Sequence, residues 1–302
     1  MNQPSTAKHN SLRSLWWIPP LLGLFWGLNW PIVKIMLTGL PPFYMRGLAF
    51  TAAAAVLMAV VLWQRAALIP PRSEWLPLVA SGLLNVVGFN LFTAFAQLHT
   101  TTSRATVLTF TMPMMAVLLA WGLLGERISK RGAWALALGS LGIVLLAWPA
   151  LSQAGQVGTG WGLFFPLLAA FFWALGTAVS KRWVVQGNPA RSLAWQLLLG
   201  GVVCLLGAQL AGEVLPHSVT PTVALAFTFH VLLATSLAYL LWFKLLTQSD
   251  AGVAAMTTLL VPLVGVLSAM ALVGDRPSLL DWGGFALVFI GAAAVLLQPR
   301  KT

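Results

Sequence analysis

The chain has 302 residues, 59% of them hydrophobic and 8% charged, with a mean hydropathy of +0.87. A soluble domain carries about 25% charged residues, so a soluble enzyme, a nucleic-acid binder and a disulfide-stapled secreted domain are excluded at the outset. The net charge of +11 resides mainly in loops between apolar runs, where Lys and Arg fix membrane topology instead of binding nucleic acid.

In chain order the apolar runs fall at 15–37, 42–63, 75–97, 105–123, 132–148, 160–183, 192–212, 222–246, 251–273 and 280–297. In lipid every backbone N–H and C=O must be satisfied within the protein, and runs of this length are too long and too uniformly apolar for barrel strands. Each predicts a helix, so the expected class is an all-α integral membrane protein with ten transmembrane helices. The first run follows Lys8 and Arg13, as a secretory signal would. It is longer than a signal's apolar core, is interrupted by Pro19, Pro20, Asn29 and Pro31, and precedes no small-residue cleavage site, so it predicts a retained span. Cys204 is the single cysteine and lies inside an apolar run, where it has no disulfide partner in the chain.

Placing the N-terminus in the cytoplasm puts 13 of the 17 basic residues inside, among them Lys8, Arg13, Arg65, Arg72, Arg127, Lys130, Arg131, Lys181 and Arg182. Short cytoplasmic loops are rich in Lys and Arg, so both termini are expected in the cytoplasm and the protein in the inner (plasma) membrane. Trp16, Trp17, Trp63, Trp75, Trp148 and Trp161 lie at run ends, where an amphipathic ring favours the headgroup level.

The two halves repeat. Pro113, the cluster Gly125-Glu126-Arg127 and Gly142 recur 149 residues later as Pro262, Gly274-Asp275-Arg276 and Gly291. Pro19, Trp26 and Lys34 recur 147 residues later as Pro166, Trp173 and Lys181. Five helices per half is an odd number, so the second half must enter the membrane from the opposite side. The expected layout is a cytoplasmic tail (1–14), a five-helix repeat (15–149), a short external loop (150–159), a second, inverted repeat (160–298) and a cytoplasmic tail (299–302), with a cavity between the halves.

Ten helices in two halves, each with a proline-centred fourth helix followed by Gly-Glu/Asp-Arg, resemble the EamA branch of the drug/metabolite transporter (DMT) superfamily. The first helix, Gly23-Leu24-Phe25-Trp26-Gly27-Leu28-Asn29-Trp30-Pro31, is similar to the Trp-Gly start of that branch, and Arg46 follows the prolyl pair Pro41-Pro42 as in its second helix. In overall plan the chain also resembles the YddG-type amino-acid exporters. The resemblance implies a ten-helix bundle around a central cavity and efflux of small metabolites. Asp275 in place of Glu, and Gln196 near where a second Arg46 would map, depart from strict internal symmetry.

Trp26, Trp30 and Lys34 share one helical stripe, and Trp173, Thr177 and Lys181 repeat it. The two tryptophans are candidates to offer ring faces to a substrate, with packed or lipid-facing rings and snorkelling lysines as the alternative. Asn29, Asn85, Asn90, Thr235 and Tyr239 are polar groups in apolar spans and should face the bundle interior, as substrate ligands or as interhelical hydrogen bonds. The substrate-binding candidates are therefore Trp26, Asn29, Trp30, Asn85, Asn90, Trp173, His230 and Tyr239. Pro113 and Pro262, near the middle of their helices, are expected to act as hinges. Glu126 with Arg127, and Asp275 with Arg276, are expected to form gating pairs at the helix ends.

All six acidic residues lie at or beyond helix ends, which favours facilitated export. His230 is the one mid-span titratable group and leaves a proton-coupled exporter of drugs or other metabolites as the alternative; it is expected to bond a helix carbonyl, and His99 to lie in a loop. A channel is a further alternative. No phosphate loop, metalloprotease motif or buried aspartate pair is present, so no enzyme, cofactor or metal site is expected. The expected partners are a small-molecule substrate and the lipid bilayer, not nucleic acid, and a monomer would suffice. Neutral and aromatic amino acids fit aromatic faces and neutral polar groups better than a cationic drug, which would call for a buried carboxylate.

Overall fold

The computed structural model describes residues 16–125, 127–152, 160–183, 187–248 and 251–297. Glu126, both terminal tails and most of the 150–159 loop lie outside them, as does the side chain of Lys181. Every regular element among the described residues is helical. Eight helices are long and apolar enough to cross a membrane, and this is a multi-pass membrane protein. Two further helices pack among them: α1 (Ile18–Met36), diluted by three prolines, Asn29 and Lys34, and α9 (Ala251–Leu272), which is apolar over Thr257–Leu272.

The remaining rods are α2 (Pro42–Trp63), α3 (Arg72–His99), α4 (Thr102–Thr109 and Met112–Leu124), α5 (Lys130–Ser152), α6 (Trp161–Arg182), α7 (Pro189–Leu210), α8 (Pro221–Phe229, His230–Leu237 and Ala238–Gln248) and α10 (Leu279–Leu296). Prolines at the first helical position open α2, α7 and α8, where the missing N–H would have had no partner anyway. Asn188 and Thr220 cap α7 and α8 with side-chain oxygens, and Ser278 with Asp281 closes a reciprocal capping box on α10. His99 is the last residue of α3, stacked 5.3 Å from Phe165, and not in a loop.

The repeated glycines have a physical cause. Gly125 and Gly274 stop α4 and α9 at φ +66° and +72°, a left-handed conformation that a Cβ disfavours and that ends a helix cleanly. The repeated prolines behave differently from each other. Pro113 lies midway along α4, but α4 breaks there, at Phe110-Thr111, and Pro113 sits in the first turn of the second piece. Its ring would collide with the carbonyl of Thr109, the last residue of the first piece. Pro262, by contrast, lies inside an α9 that runs unbroken.

The most extensive helix contacts are α2 with α7, α5 with α10, α3 with α6, and α1 with α9, each joining one half of the chain to the other. Small residues let these rods approach: a Cβ on Gly201 of α7 would lie 2.4 Å from Thr51 Oγ1 of α2, and one on Gly27 of α1 would lie 2.5 Å from Val264 Cβ of α9. Charge ties α7 at both ends, to α2 at one and to α3 at the other. Glu213, just past α7, accepts from the Phe43 and Tyr44 amides at 3.1 and 2.9 Å, and Arg191 in the first turn of α7 donates to Glu74 at 2.8 Å.

Both α3 and α8 carry a π-helical stretch midway, Gly82–Gly88 and His230–Leu237. A π turn widens the helix, leaves carbonyls without their usual partner, and is frequent at functional positions.

Candidate functional site

The rods enclose a cavity of about 380 Å³ in the middle of the bundle. It runs from Gln97, near the end of α3, to Val295 and Leu296 in the last turn of α10. Aromatic side chains from several helices stand in its wall: Trp26 and Trp30 from α1, Phe50 from α2, Phe89 from α3, Phe110 at the break in α4, Trp173 from α6 and Tyr239 from α8. The Trp26 ring stands edge-on to Tyr239 at 5.6 Å and to Trp242 at 5.5 Å, and Phe89 lies 4.7 Å from Trp173, the tilted geometries that aromatic quadrupoles favour.

The π segments meet these tryptophans. Trp26 Nε1 donates to the carbonyl of Ala234 at 3.1 Å, inside the π stretch of α8. On the other wall Asn85 Nδ2, inside the π stretch of α3, donates to the carbonyl of Trp173 at 3.1 Å. Gly176 makes room for that amide, since a Cβ there would lie 2.2 Å from Asn85 Oδ1.

A chain of polar groups joins α1, α8 and α2 in the cavity wall. His230 Nδ1 lies 2.6 Å from Asn29 Oδ1, and its Nε2 lies 3.5 Å from Arg46 Nη1. With the proton on Nδ1, the ring donates to Asn29 and accepts from Arg46, so one tautomer satisfies both contacts. Arg46 Nε also donates to the Asn90 carbonyl at 2.9 Å, and Nη2 to Thr93 Oγ1 at 3.1 Å. His230 and Arg46 are each 2% exposed, and both line the cavity. Among the described lining residues there is no Asp or Glu.

Of the eight residues expected to face substrate, seven line the cavity: Trp26, Asn29, Trp30, Asn90, Trp173, His230 and Tyr239. Asn85 is not among the lining residues; its amide is spent on the Trp173 carbonyl between α3 and α6. Asn90 presents its backbone to Arg46 while its own Nδ2 returns to the Val86 carbonyl at 3.0 Å. The His230 partner is a side chain, Asn29, and not the helix carbonyl expected.

The EamA-like transporter family matches this chain over residues 16–148 and 160–297, one match on each half of the bundle. The chain belongs to the EamA-like transporter family. Similar proteins include an uncharacterized transporter of Archaeoglobus fulgidus, 27% identical over 84% of this chain and 87% of its own. The uncharacterized inner membrane transporter YedA of Escherichia coli K12 is 27% identical over 93% of this chain and 89% of its own. A probable amino-acid metabolite efflux pump of Salmonella typhimurium is 26% identical over 90% and 91%. A solved crystal structure superimposes over 93% of this chain and 96% of its own with a TM-score of 0.65 at 21% identity, which shows a shared fold alone.

Of the two gating pairs expected in this EamA bundle, Glu126–Arg127 falls outside the described residues with Glu126, and at the other end Asp275 has a partner other than Arg276. Asp275 turns away from Arg276 and accepts from the amide and hydroxyl of Ser103 at 2.7 and 2.8 Å, because the free N–H groups opening α4 are well placed to hold a carboxylate. Beside it Arg104 bridges to Asp281 at 2.6 Å, and Lys34 Nζ donates to the Gln97 carbonyl instead of snorkelling. Arg127 is exposed. Of the tryptophans expected at headgroup level, Trp16, Trp63, Trp148 and Trp161 are exposed, whereas Trp75 packs edge-on against Trp195 at 4.9 Å.

Arg46 lines the cavity but was not among the substrate-binding candidates read from the sequence. The signal was present: it is a charge four residues inside an apolar run. Position near a run end makes such a residue look like a topology signal.

Proposed function

We propose that this EamA protein exports small metabolites, neutral and aromatic amino acids foremost, by alternating access. Two five-helix halves of opposite orientation, ten spans in all, rock about the central cavity, in an inner membrane with both termini in the cytoplasm. The observation that carries the substrate reading is the cavity wall: aromatic faces interleaved with neutral hydrogen-bonding groups, one arginine, Arg46, and, among the described residues, no Asp or Glu. The name of the similar Salmonella typhimurium efflux pump supports the same substrate class.

The inverted arrangement draws support from the 147- and 149-residue offsets and from helix partners that come in matched sets. α1 packs on α9 and α8, as α6 packs on α4 and α3, while α2 with α7 and α5 with α10 pair across the pseudo-axis. With the termini inside, the cavity reaches the cytoplasmic end at Leu296, and the contacts of Asp275, Asp281 and Lys34 hold the external end shut. Such a state takes up substrate from the cytoplasm. Pro113, at the break in α4, is the hinge that reopens the external end.

A cavity wall without a carboxylate supports facilitated export. His230 in the wall carries the second reading, proton-coupled export. Both are tested by uptake of radiolabelled neutral, aromatic and cationic solutes into liposomes of the purified protein, with and without a pH gradient. Saturable equilibration of neutral amino acids without a gradient is the expected result. Accumulation only with a gradient favours the histidine reading, and transport of cations alone overturns the substrate class.

A further inference from the structure

Among the described residues two arginines are deeply buried, with opposite circumstances. Arg191, 8% exposed, is paired with Glu74 at 2.8 Å. Arg46 is buried further, at 2%, yet its partners are a carbonyl, a hydroxyl and an imidazole nitrogen, none of which carries negative charge. The salt bridges among the described residues are Arg104–Asp281 and Arg191–Glu74. A buried charge normally has a counter-charge, and this fold supplies one where the arginine is structural.

The place of the missing anion is the cavity itself. Arg46 forms part of its wall. A guanidinium has five N–H groups, of which three are engaged here, so two remain for an incoming group. Its planar fork matches a carboxylate in bidentate geometry. The chain Asn29–His230–Arg46 holds the fork in place, and Trp26, Trp30 and Tyr239 stand along the same cavity to receive an apolar body.

Resting on the export reading above, we propose that Arg46 is the carboxylate anchor of the cavity, with His230 and Asn29 as its positioning residues. The substrate class is then the small monocarboxylate with an apolar, preferably aromatic, side chain. An amino group is tolerated but not required, because no carboxylate in the described wall waits for an ammonium. Amino acids and their deaminated analogues therefore compete for one site, and decarboxylated amines do not.

The test is a binding titration on the purified, unmodified protein, read by tryptophan fluorescence, with three probes of one skeleton: L-phenylalanine, 3-phenylpropanoate and 2-phenylethylamine. The expected result is that the two carboxylates bind within about tenfold of each other and the amine roughly 10- to 100-fold more weakly, as befits loss of a charge-assisted hydrogen-bonded pair. Amine binding as tight as that of the carboxylates overturns the anchor. If the liposomes also carry the amine, the export reading survives that failure; if none of the three binds or is carried, both fall together. Arg46→Gln and Arg46→Lys add a second arm, with thermal melting to verify folding. Both are expected to weaken 3-phenylpropanoate roughly 10-fold or more while sparing the residual affinity for the amine, Lys less than Gln because it keeps the charge but not the fork. An unchanged carboxylate affinity in folded Arg46→Gln refutes the proposal.

Discussion

The π segments of α3 and α8 occupy matching places in the two halves, and each faces a tryptophan-bearing helix, yet their hydrogen bonds run in opposite senses. In α8 the widened turn offers a carbonyl, that of Ala234, and the Trp26 indole donates to it. In α3 the turn offers a side-chain donor, Asn85, and the backbone of Trp173 accepts. The α8 segment also begins with His230, the ring that links Asn29 to Arg46, whereas the α3 segment contributes only Val86 to the cavity wall. The repeat has kept the backbone distortion and divided the labour: α8 carries polar chemistry into the cavity, and α3 fastens α6.

That division can be broken by substitution. The largest effect is expected where space, not polarity, holds the Trp26 side together. In Gly27→Val the new Cβ would sit 2.5 Å from Val264 Cβ and 3.2 Å from the backbone nitrogen of Gly265. Neither can retreat as a flexible side chain would, so the melting temperature in detergent should fall steeply, with a cost of about 3 kcal/mol or more and loss of transport. Next comes His230→Ala, which leaves Asn29 and Arg46 without a shared partner at a site 2% exposed. It is expected to cost about 2–3 kcal/mol and to reduce uptake in liposomes. Asn85→Ala should cost about 1 kcal/mol, in keeping with one interhelical hydrogen bond, and leave substrate affinity intact; affinity loss equal to that of His230→Ala would erase the distinction between the two segments. The smallest effect is expected for Trp26→Phe, which keeps a ring in the wall and gives up the bond to Ala234, about 0.5–1 kcal/mol by chemical denaturation.

The helices were legible because lipid imposes one rule on every span: long apolar runs must satisfy their own backbone. Trp26 and Trp173 were legible because the repeat marks them at a fixed offset. The polar cluster was not. His230 and Asn29 stand 201 residues apart, and His230 and Arg46 stand 184 apart, so neither pairing leaves a local spacing to read. Asp275 misled for a related reason: its neighbour in sequence is Arg276, but the groups that hold it are on Ser103, 172 residues away. The matched prolines likewise concealed a difference, since proline at 113 follows a helix break and proline at 262 does not.

The Glu213 contact bears on how the chain is made. The amides of Phe43 and Tyr44 open α2, but the carboxylate that satisfies them is 169 or 170 residues further along. When the first half has left the ribosome those N–H groups have only water or headgroups to meet, and α2 has yet to gain α7, its broadest neighbour. The first five helices are thus an unfinished object until the second half arrives. Two fragments synthesised separately should each insert, acquire their end bonds only on meeting, and copurify as a stoichiometric pair.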